Sequence, residues 1–320
     1  MDTIHIAICL DNSFVMPVGV MMYSVCTSNI ESDIVFHVVA DKVSDKSKEE
    51  IKCSVSRFSN KTIIFYDFHT SEFDKQNSIS RRKNISSVTF YRLFLPIILP
   101  SDIEKVIYLD GDIIVRNSLK QLWDITLDEY AAGAVLEAVQ LEERCERLGY
   151  DSDLGYFNAG MLLINLSYWR IHNILQQSLE LTKKDPLKIV DQDQDILNFL
   201  LAGKILWLKP EYNLTRHLLT KKYYDGAPNK DELNKAYKNP VIIHYTCSQK
   251  PWHTFCRHPH KMIFLKYKSY SIWKDEPLIE TRSIYLRIIK FFSSILRRLH
   301  LIPELPPYGI EFIPGLPEIE

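Results

Sequence analysis

Short apolar runs, bounded by polar clusters, recur along the chain up to about residue 210. IHIAICL (4–10), IVFHVVA (34–40), TIIFYDF (62–68) and VIYLD (106–110) are apolar enough to be strands buried on both faces. Segments of helical character fill the gaps between them, notably around 18–29 and 45–58. Strands and helices alternating in this way predict an α/β fold with a mostly parallel sheet wrapped by helices. AAGAVLEA (131–138), MLLINL (161–166), ILWL (205–208) and VIIHY (241–245) read as further strands. The stretch 217–239, rich in Lys, Asp, Asn and Tyr, breaks the pattern and reads as an excursion from the core.

A different pattern closes the chain. At about 100° per residue, Ile284, Ile288, Phe291, Phe292, Ile295 and Leu299 fall on one side of a helix. Arg287, Lys290, Ser294, Arg297 and Arg298 fall opposite, with Leu286 as the exception. A basic amphipathic helix with aromatic residues on its apolar face has the pattern of an interfacial anchor, against the alternative of a helix docked on the body. Past His300 the prolines at 303, 306, 307, 314 and 317 cannot continue it. The expected organisation is a catalytic domain over 1–265 and a membrane-associating helical tail over 266–320, with 282–300 meeting an anionic inner-leaflet surface.

Composition narrows the class. A chain of 320 residues that is 46% hydrophobic can bury a large core in one big domain or two smaller ones. Its 39 basic and 40 acidic residues leave a net charge of -1, so no global pull toward nucleic acid is expected. The N-terminus carries an acid at position 2 and no basic region, and reads as a first strand rather than a signal peptide. No apolar run approaches the ~20 residues that span a bilayer. The cysteines (Cys9, Cys26, Cys53, Cys145, Cys247 and Cys256) show no C-x-x-C spacing, so reduced thiols in a cytoplasmic protein are expected and a zinc site is not.

The most informative chemistry lies in VIYLDGDIIV (106–115). Its apolar half ends in Asp110-Gly111-Asp112, two carboxylates around a residue with no side chain. On an extended backbone both acids would face the same side, and the glycine leaves room for a ligand. Two hard oxygen ligands at a strand end suit Mg²⁺ or Mn²⁺ holding a diphosphate. A lone D-x-D is more often an acidic turn, so the other strand ends matter. Ligands in such sheets sit beyond the carboxyl ends of strands, where Asp11-Asn12-Ser13 follows the first strand and His244 closes VIIHY. A lone histidine in an apolar strand is usually a core residue. Lys250 follows it six positions later, however, within reach of a phosphate as a point charge. Two Asp and one His form a mixed donor set that Mn²⁺ accepts.

Six segments in order carry a resemblance: the strand ending in Asp11-Asn12, TFYRLFLP with Arg92, YLDGDIIVR, YFNAGMLLINLSYWR (156–170), DQDQDILN (191–198) and HYTCSQKPW with His244 and Lys250. Together they span about 4–252, and the chain resembles the family 8 glycosyltransferases, most of all the bacterial lipooligosaccharide galactosyltransferases. The resemblance implies a GT-A fold, a Rossmann-like and mostly parallel sheet. It also implies retaining transfer of a hexose from a UDP-sugar with Mn²⁺. Asp110, Asp112 and His244 would ligate the metal. Asp11 and Asn12 would lie beside the nucleoside, and Arg92 and Lys250 would face the diphosphate or donor, with Gly111 in the same cradle. Asn158, Ala159 and Gly160 would line the sugar pocket, Glu137 would sit near the donor or acceptor sugar, and Asp193, Gln194 and Asp195 would fall at the anomeric centre.

Two positions depart from the family pattern. Leu10 stands where close relatives carry an acid or small polar residue, and Cys247 stands where a glycine lets backbone amides approach the diphosphate. Retention points to front-side attack polarised by Gln194, with double displacement through Asp195 left open. Galactose is the first expectation for the donor sugar and glucose the second. The acceptor is expected to be a lipopolysaccharide or lipooligosaccharide core, or another surface or lipid-linked glycan, reached at the inner face of the cell membrane. Two other classes fit less well: a haloacid-dehalogenase-like phosphatase, whose D-x-D-x-[TV] motif belongs on a first strand, and a non-catalytic sugar-binding protein.

Overall fold

The computed structural model describes residues 3–68, 87–137 and 139–280. Among these residues the strands are β1 (Ile4–Asp11), β2 (Ile34–Asp41), β3 (Lys61–Asp67), β4 (Lys105–Leu109), β5 (Ile113–Val115), β6 (Ala132–Val135), β7 (Met161–Asn165), β8 (Ile205–Leu208), β9 (Leu214–Thr215) and β10 (Ile242–His244). Seven of them form one sheet in the order β3-β2-β1-β4-β7-β6-β8. All neighbours run parallel except β7, which is antiparallel to both β4 and β6. The mostly parallel, helix-flanked sheet expected from the alternation is therefore what forms.

Alternation along β1 shows why the sheet is central. Ile4, Ile6, Ile8 and Leu10 enter one hydrophobic cluster, while Ala7 and Cys9 enter the cluster on the opposite face. Successive side chains point to opposite faces of a strand, so an unbroken apolar run needs cover on both sides. The helix Val15–Ser28 supplies part of it, with Val18, Val20, Met21, Met22 and Val25 fully buried. The expectation for TIIFYDF needs correcting: β3 is half-exposed along its length, because it is the edge strand and pairs only with β2.

A second sheet, in the order β5-β10-β9, was not expected at all. VIIHY belongs to it, with β10 antiparallel to β5 and parallel to β9. The segment 217–239 is an excursion, as expected. Its helices Lys221–Gly226 and Lys230–Lys238 stand beside a small cluster of their own that includes Leu218, Leu219, Leu233 and Tyr237.

The expected domain boundary at 265 falls inside a packed helix, Lys261–Tyr270, whose Ile263 and Phe264 are buried in the main core. The packed body continues past it. Trp273 fills the space over Gly19 so closely that a Cβ there would come within 2.0 Å of its ring, and Ile279 bridges to His253. Trp273→Ala should therefore cost about 3–5 kcal/mol, the usual range for emptying a buried aromatic site. Chemical denaturation would read this as a lowered midpoint, and an unchanged midpoint would place Trp273 outside the cooperative core. The amphipathic segment 284–299, and with it the 282–300 membrane contact, lies outside the described residues. No helix among the described residues is long and apolar enough to cross a membrane.

Candidate active site

Asp110-Gly111-Asp112 is the seam between the two sheets. β4 ends at Leu109, residues 110–112 are not in a strand, and β5 begins at Ile113 in the other sheet. The two acids thus converge across a turn, not along one side of an extended strand. Strand register brings in the histidine: β10 pairs His244 with Ile113, and the Tyr245 amide donates to the Asp112 carbonyl at 3.0 Å. His244 Nε2 then lies 3.2 Å from Asp112 Oδ1 and 3.9 Å from Asp110 Oδ2. One ligand atom from each of the three residues lies within 4.8 Å of the others.

A chain of hydrogen bonds fixes the histidine tautomer. The Gly160 amide can only donate, and Asn158 Oδ1 receives it at 3.1 Å. The same oxygen accepts from Asn213 Nδ2 at 3.0 Å, which turns Asn213 Oδ1 toward His244 Nδ1 at 2.9 Å. Nδ1 then carries a proton, and Nε2 is the ring atom turned toward the carboxylates. Asn213 was invisible to the sequence reading, and only the pairing of β9 with β10 brings it here. Gly160 is required by crowding, since a Cβ would lie 2.2 Å from His244 Cε1 and 2.6 Å from Asp110 Oδ2. Gly111 is required too, although by packing: its Cβ would meet Val18 at 2.8 Å and Phe14 at 3.0 Å.

Charge is balanced locally. Arg92 is buried, with Nη2 on Asp110 Oδ1 at 3.0 Å, Nε paired to Asp193 Oδ2 at 2.7 Å, and Nη1 donating to the Ala159 carbonyl. Its plane lies over the Tyr108 ring at 4.3 Å, and the Tyr108 hydroxyl donates to Asp110 Oδ1 at 2.8 Å. Arg92, expected to face the diphosphate or donor, braces two carboxylates and also lines the cavities beside them. Burial pushes the Asp193 carboxyl up to about 7, against the pull of Arg92. Burial would raise Asp112 as well, but Lys250 and His244 outweigh it and hold that carboxyl well below the usual range. Lys250 reaches Asp112 Oδ2 and also donates to the Tyr245 carbonyl at 3.0 Å. The donor set of two carboxylates and one imidazole, with its oriented Nε2, fits a divalent ion of the Mn²⁺ type.

Two cavities flank the seam. The larger, of about 340 Å³, is lined by Asp110, Asp112 and His244 on one side and by Glu137, Asn158, Ala159, Gly160, Asp193 and Gln194 on another, with Cys247 and Lys250 closing it. The smaller, of about 240 Å³, is lined by Asp11, Gly111 and the more apolar Cys9, Leu10, Phe14 and Tyr108. Asp110, Asp112, Arg92 and Lys250 border both. Asn12 borders neither, and its Oδ1 accepts from the Ser44 amide at 3.3 Å. Cys247 adopts φ +86°, the backbone of a glycine, at a typical cost of about 1–3 kcal/mol.

Gln194 and Asp195, neighbours in the helix Gln192–Leu200, are used differently. Gln194 Oε1 accepts from the Ala159 amide at 3.0 Å and from Asn158 Nδ2 at 3.3 Å, and its Nε2 donates to the Tyr156 hydroxyl at 3.1 Å. That network aims it at the larger cavity. Asp195 is fully buried and does not line either cavity. Arg147 grips both its oxygens at 2.8 and 3.0 Å, and the Tyr156 hydroxyl and the amides of Val190 and Asp191 add three more donors. Five donors leave it no oxygen for attack on a substrate. Glu137 is buried beside His217 and Arg144, and burial raises its carboxyl despite those two neighbours. Arg144, His217 and Thr89 also line the larger cavity; Thr89 opens the segment TFYRLFLP, while Arg144 and His217 stand in no motif.

Comparison with known proteins agrees with this geometry. A lipopolysaccharide 1,3-galactosyltransferase of Salmonella typhimurium is 28% identical over 87% of this chain and 81% of its own. A lipopolysaccharide 1,2-glucosyltransferase of Escherichia coli is 26% identical over 94% of this chain and 88% of its own. The crystal structure of the galactosyltransferase LgtC in complex with donor and acceptor sugar analogues superposes with a TM-score of 0.72 at 26% identity, covering 84% of this chain and 96% of that one. The profile of glycosyl transferase family 8 matches residues 5–256, nearly the whole of the packed body, and the chain belongs to that family.

Proposed function

We propose that the protein is a retaining hexosyltransferase that moves galactose, or else glucose, from a UDP-sugar to a hydroxyl of a glycan acceptor such as lipopolysaccharide or lipooligosaccharide core. The observation that carries this reading is the Asp110–Asp112–His244 set at the border of two cavities, one polar and one more apolar. Uridine suits the smaller cavity, where Leu10, Phe14 and Tyr108 offer flat apolar surface and Asp11 a carboxylate for ribose hydroxyls. The diphosphate then falls at the seam, and the hexose in the larger cavity against Asn158, Ala159, Gly160 and Asp193. A divalent ion held by Asp110, Asp112 and His244, Mn²⁺ before Mg²⁺, supplies Lewis-acid stabilisation of the leaving UDP.

This chain's own residues do the rest. Lys250 adds a fixed cation beside the departing phosphate, and Arg92, which keeps Asp110 and Asp193 in place, adds a second cation at the border of the two cavities. Gln194 sits between the sugar pocket and Tyr156, able to present its amide dipole to positive charge developing at the anomeric carbon. With Asp195 committed to Arg147, the arrangement supports front-side attack. The acceptor oxygen bonds to the anomeric carbon on the face from which the phosphate oxygen leaves, and that oxygen takes the acceptor's proton.

Product NMR and single-site kinetics test this reading. Radiolabelled UDP-galactose and UDP-glucose, offered with and without EDTA, should show metal-dependent transfer to an α-linked product, and a β-linked product would refute retention. Gln194→Ala should lower kcat with little change in KM, because an interaction made only in the transition state appears in that form. An unchanged kcat would remove Gln194 from the chemistry.

The tail completes the proposal: residues 282–300 would hold the enzyme at the anionic cytoplasmic leaflet, where a lipid-linked acceptor is found. Deleting 282–320 should release the protein from anionic vesicles while a soluble acceptor is still glycosylated. Equal pelleting of the two proteins would overturn the anchor.

A further inference from the structure

Lys250 holds one oxygen of a carboxylate that would ligate a metal ion at this site. Its Nζ is 2.5 Å from Asp112 Oδ2 and 3.0 Å from the Tyr245 carbonyl oxygen. The other oxygen of Asp112 faces His244 Nε2 at 3.2 Å, so the ammonium stands on the same carboxylate that would meet the ion. Asp112 is only 7% exposed, which leaves water little access to replace a partner that is displaced. Asp110 is arranged differently. Arg92 and Tyr108 both occupy its Oδ1, while Oδ2 points toward His244 and the cavity. A cation entering the site therefore finds Asp110 Oδ2 and His244 Nε2 directly, but meets an ammonium on Asp112.

The same ammonium can leave. Lys250 lies past the end of β10, its side chain is 19% exposed, and it borders both cavities. A lysine carries its charge on a flexible four-carbon stem, so a diphosphate lying between the cavities offers Nζ an anionic partner with no large backbone movement. We infer that Lys250 couples the two ligands: it opposes the metal ion at Asp112 until a nucleoside diphosphate draws the ammonium away, so that ion and donor bind together far better than either does alone. The inference rests on the metal and diphosphate reading proposed above. Such coupling is reciprocal, and each ligand must strengthen the other by one and the same factor.

Removing the charge has an unusual signature, because it improves one binding event and harms another. Isothermal titration of the full chain with Mn²⁺ alone, UDP alone and Mn²⁺ in the presence of UDP should be run on the wild type, Lys250→Met and Lys250→Arg. Lys250→Met should bind Mn²⁺ alone about five-fold or more tighter than the wild type. The factor by which UDP strengthens Mn²⁺ should shrink by a similar or larger amount, since measured couplings span about 5–150-fold. Lys250→Arg keeps the cation and should bind Mn²⁺ alone as the wild type does. Mn²⁺ affinity that is no tighter in Lys250→Met, or a UDP effect of unchanged size, overturns the coupling while leaving the metal site standing. Failure of all three proteins to bind Mn²⁺, with or without UDP, overturns both the coupling and the metal reading beneath it.

Discussion

Asp112→Ala should leave the protein folded and reduce sugar transfer by about 10²–10³-fold, the scale on which removing one electrostatic partner of a leaving charge is felt. Asp112 is the seam residue that touches most of the site: His244 lies against one oxygen and Lys250 against the other. The substitution removes a charged ligand and leaves Lys250 without its carboxylate partner in the same step. Circular dichroism should be unchanged, because the Asp112 backbone carbonyl, which receives the Tyr245 amide, is retained. Wild-type enzyme in excess EDTA should fall to the same residual rate, and Mn²⁺ should restore the wild type but not the variant. Full activity of Asp112→Ala in EDTA would sink the metal assignment.

Gly160→Ala should do comparable damage without altering any ligand. The added methyl would sit 2.2 Å from His244 Cε1 and 2.6 Å from Asp110 Oδ2, far inside van der Waals contact. His244 cannot easily retreat, since its Nδ1 is tied to Asn213, and Asp110 is held by Arg92 and Tyr108. The expected result is a loss of about 10–100-fold in Mn²⁺ affinity, as seen when groups that orient metal ligands are disturbed. Transfer should fall at least as far, and the melting temperature only slightly. Mn²⁺ affinity equal to that of the wild type would mean that the turn relaxes and that the crowding at Gly160 is not what shapes the site.

What could be read from the sequence, and what could not, follows the range of the interactions involved. β1 and β2 were legible because their burial on two faces writes an unbroken apolar run into a few adjacent residues. The acid pair and His244 were legible as chemistry at strand ends. The sheet that joins them was not: β5 and β10 are three residues long and β9 only two, below the length at which alternation carries a signal. Asn213 was missed for the same reason, because its role depends on where β9 lands. Arg92 and Asp195 were placed in the site; Arg92 lines both cavities and Asp195 stands behind them. Whether a charged side chain faces a ligand or braces another residue depends on partners distant in sequence, here Asp193 for Arg92 and Arg147 for Asp195. The family match leaves no room for the phosphatase alternative, whose motif would have had to open the first strand.

The seam also divides the labour of the molecule in a way that bears on how such enzymes diversify. The apolar cradle at Leu10, Phe14 and Tyr108 is built from the large sheet and the residues that follow its first strand. The excursion over 217–239 enters the larger cavity through His217 and packs around a small core that it shares with Leu214 of β9. Changes in its length or composition therefore bear on the larger cavity and cost the main core little. That border of the cavity can be rebuilt much as an antibody rebuilds a loop on a fixed scaffold, with the Asp110–Asp112–His244 seam left in place.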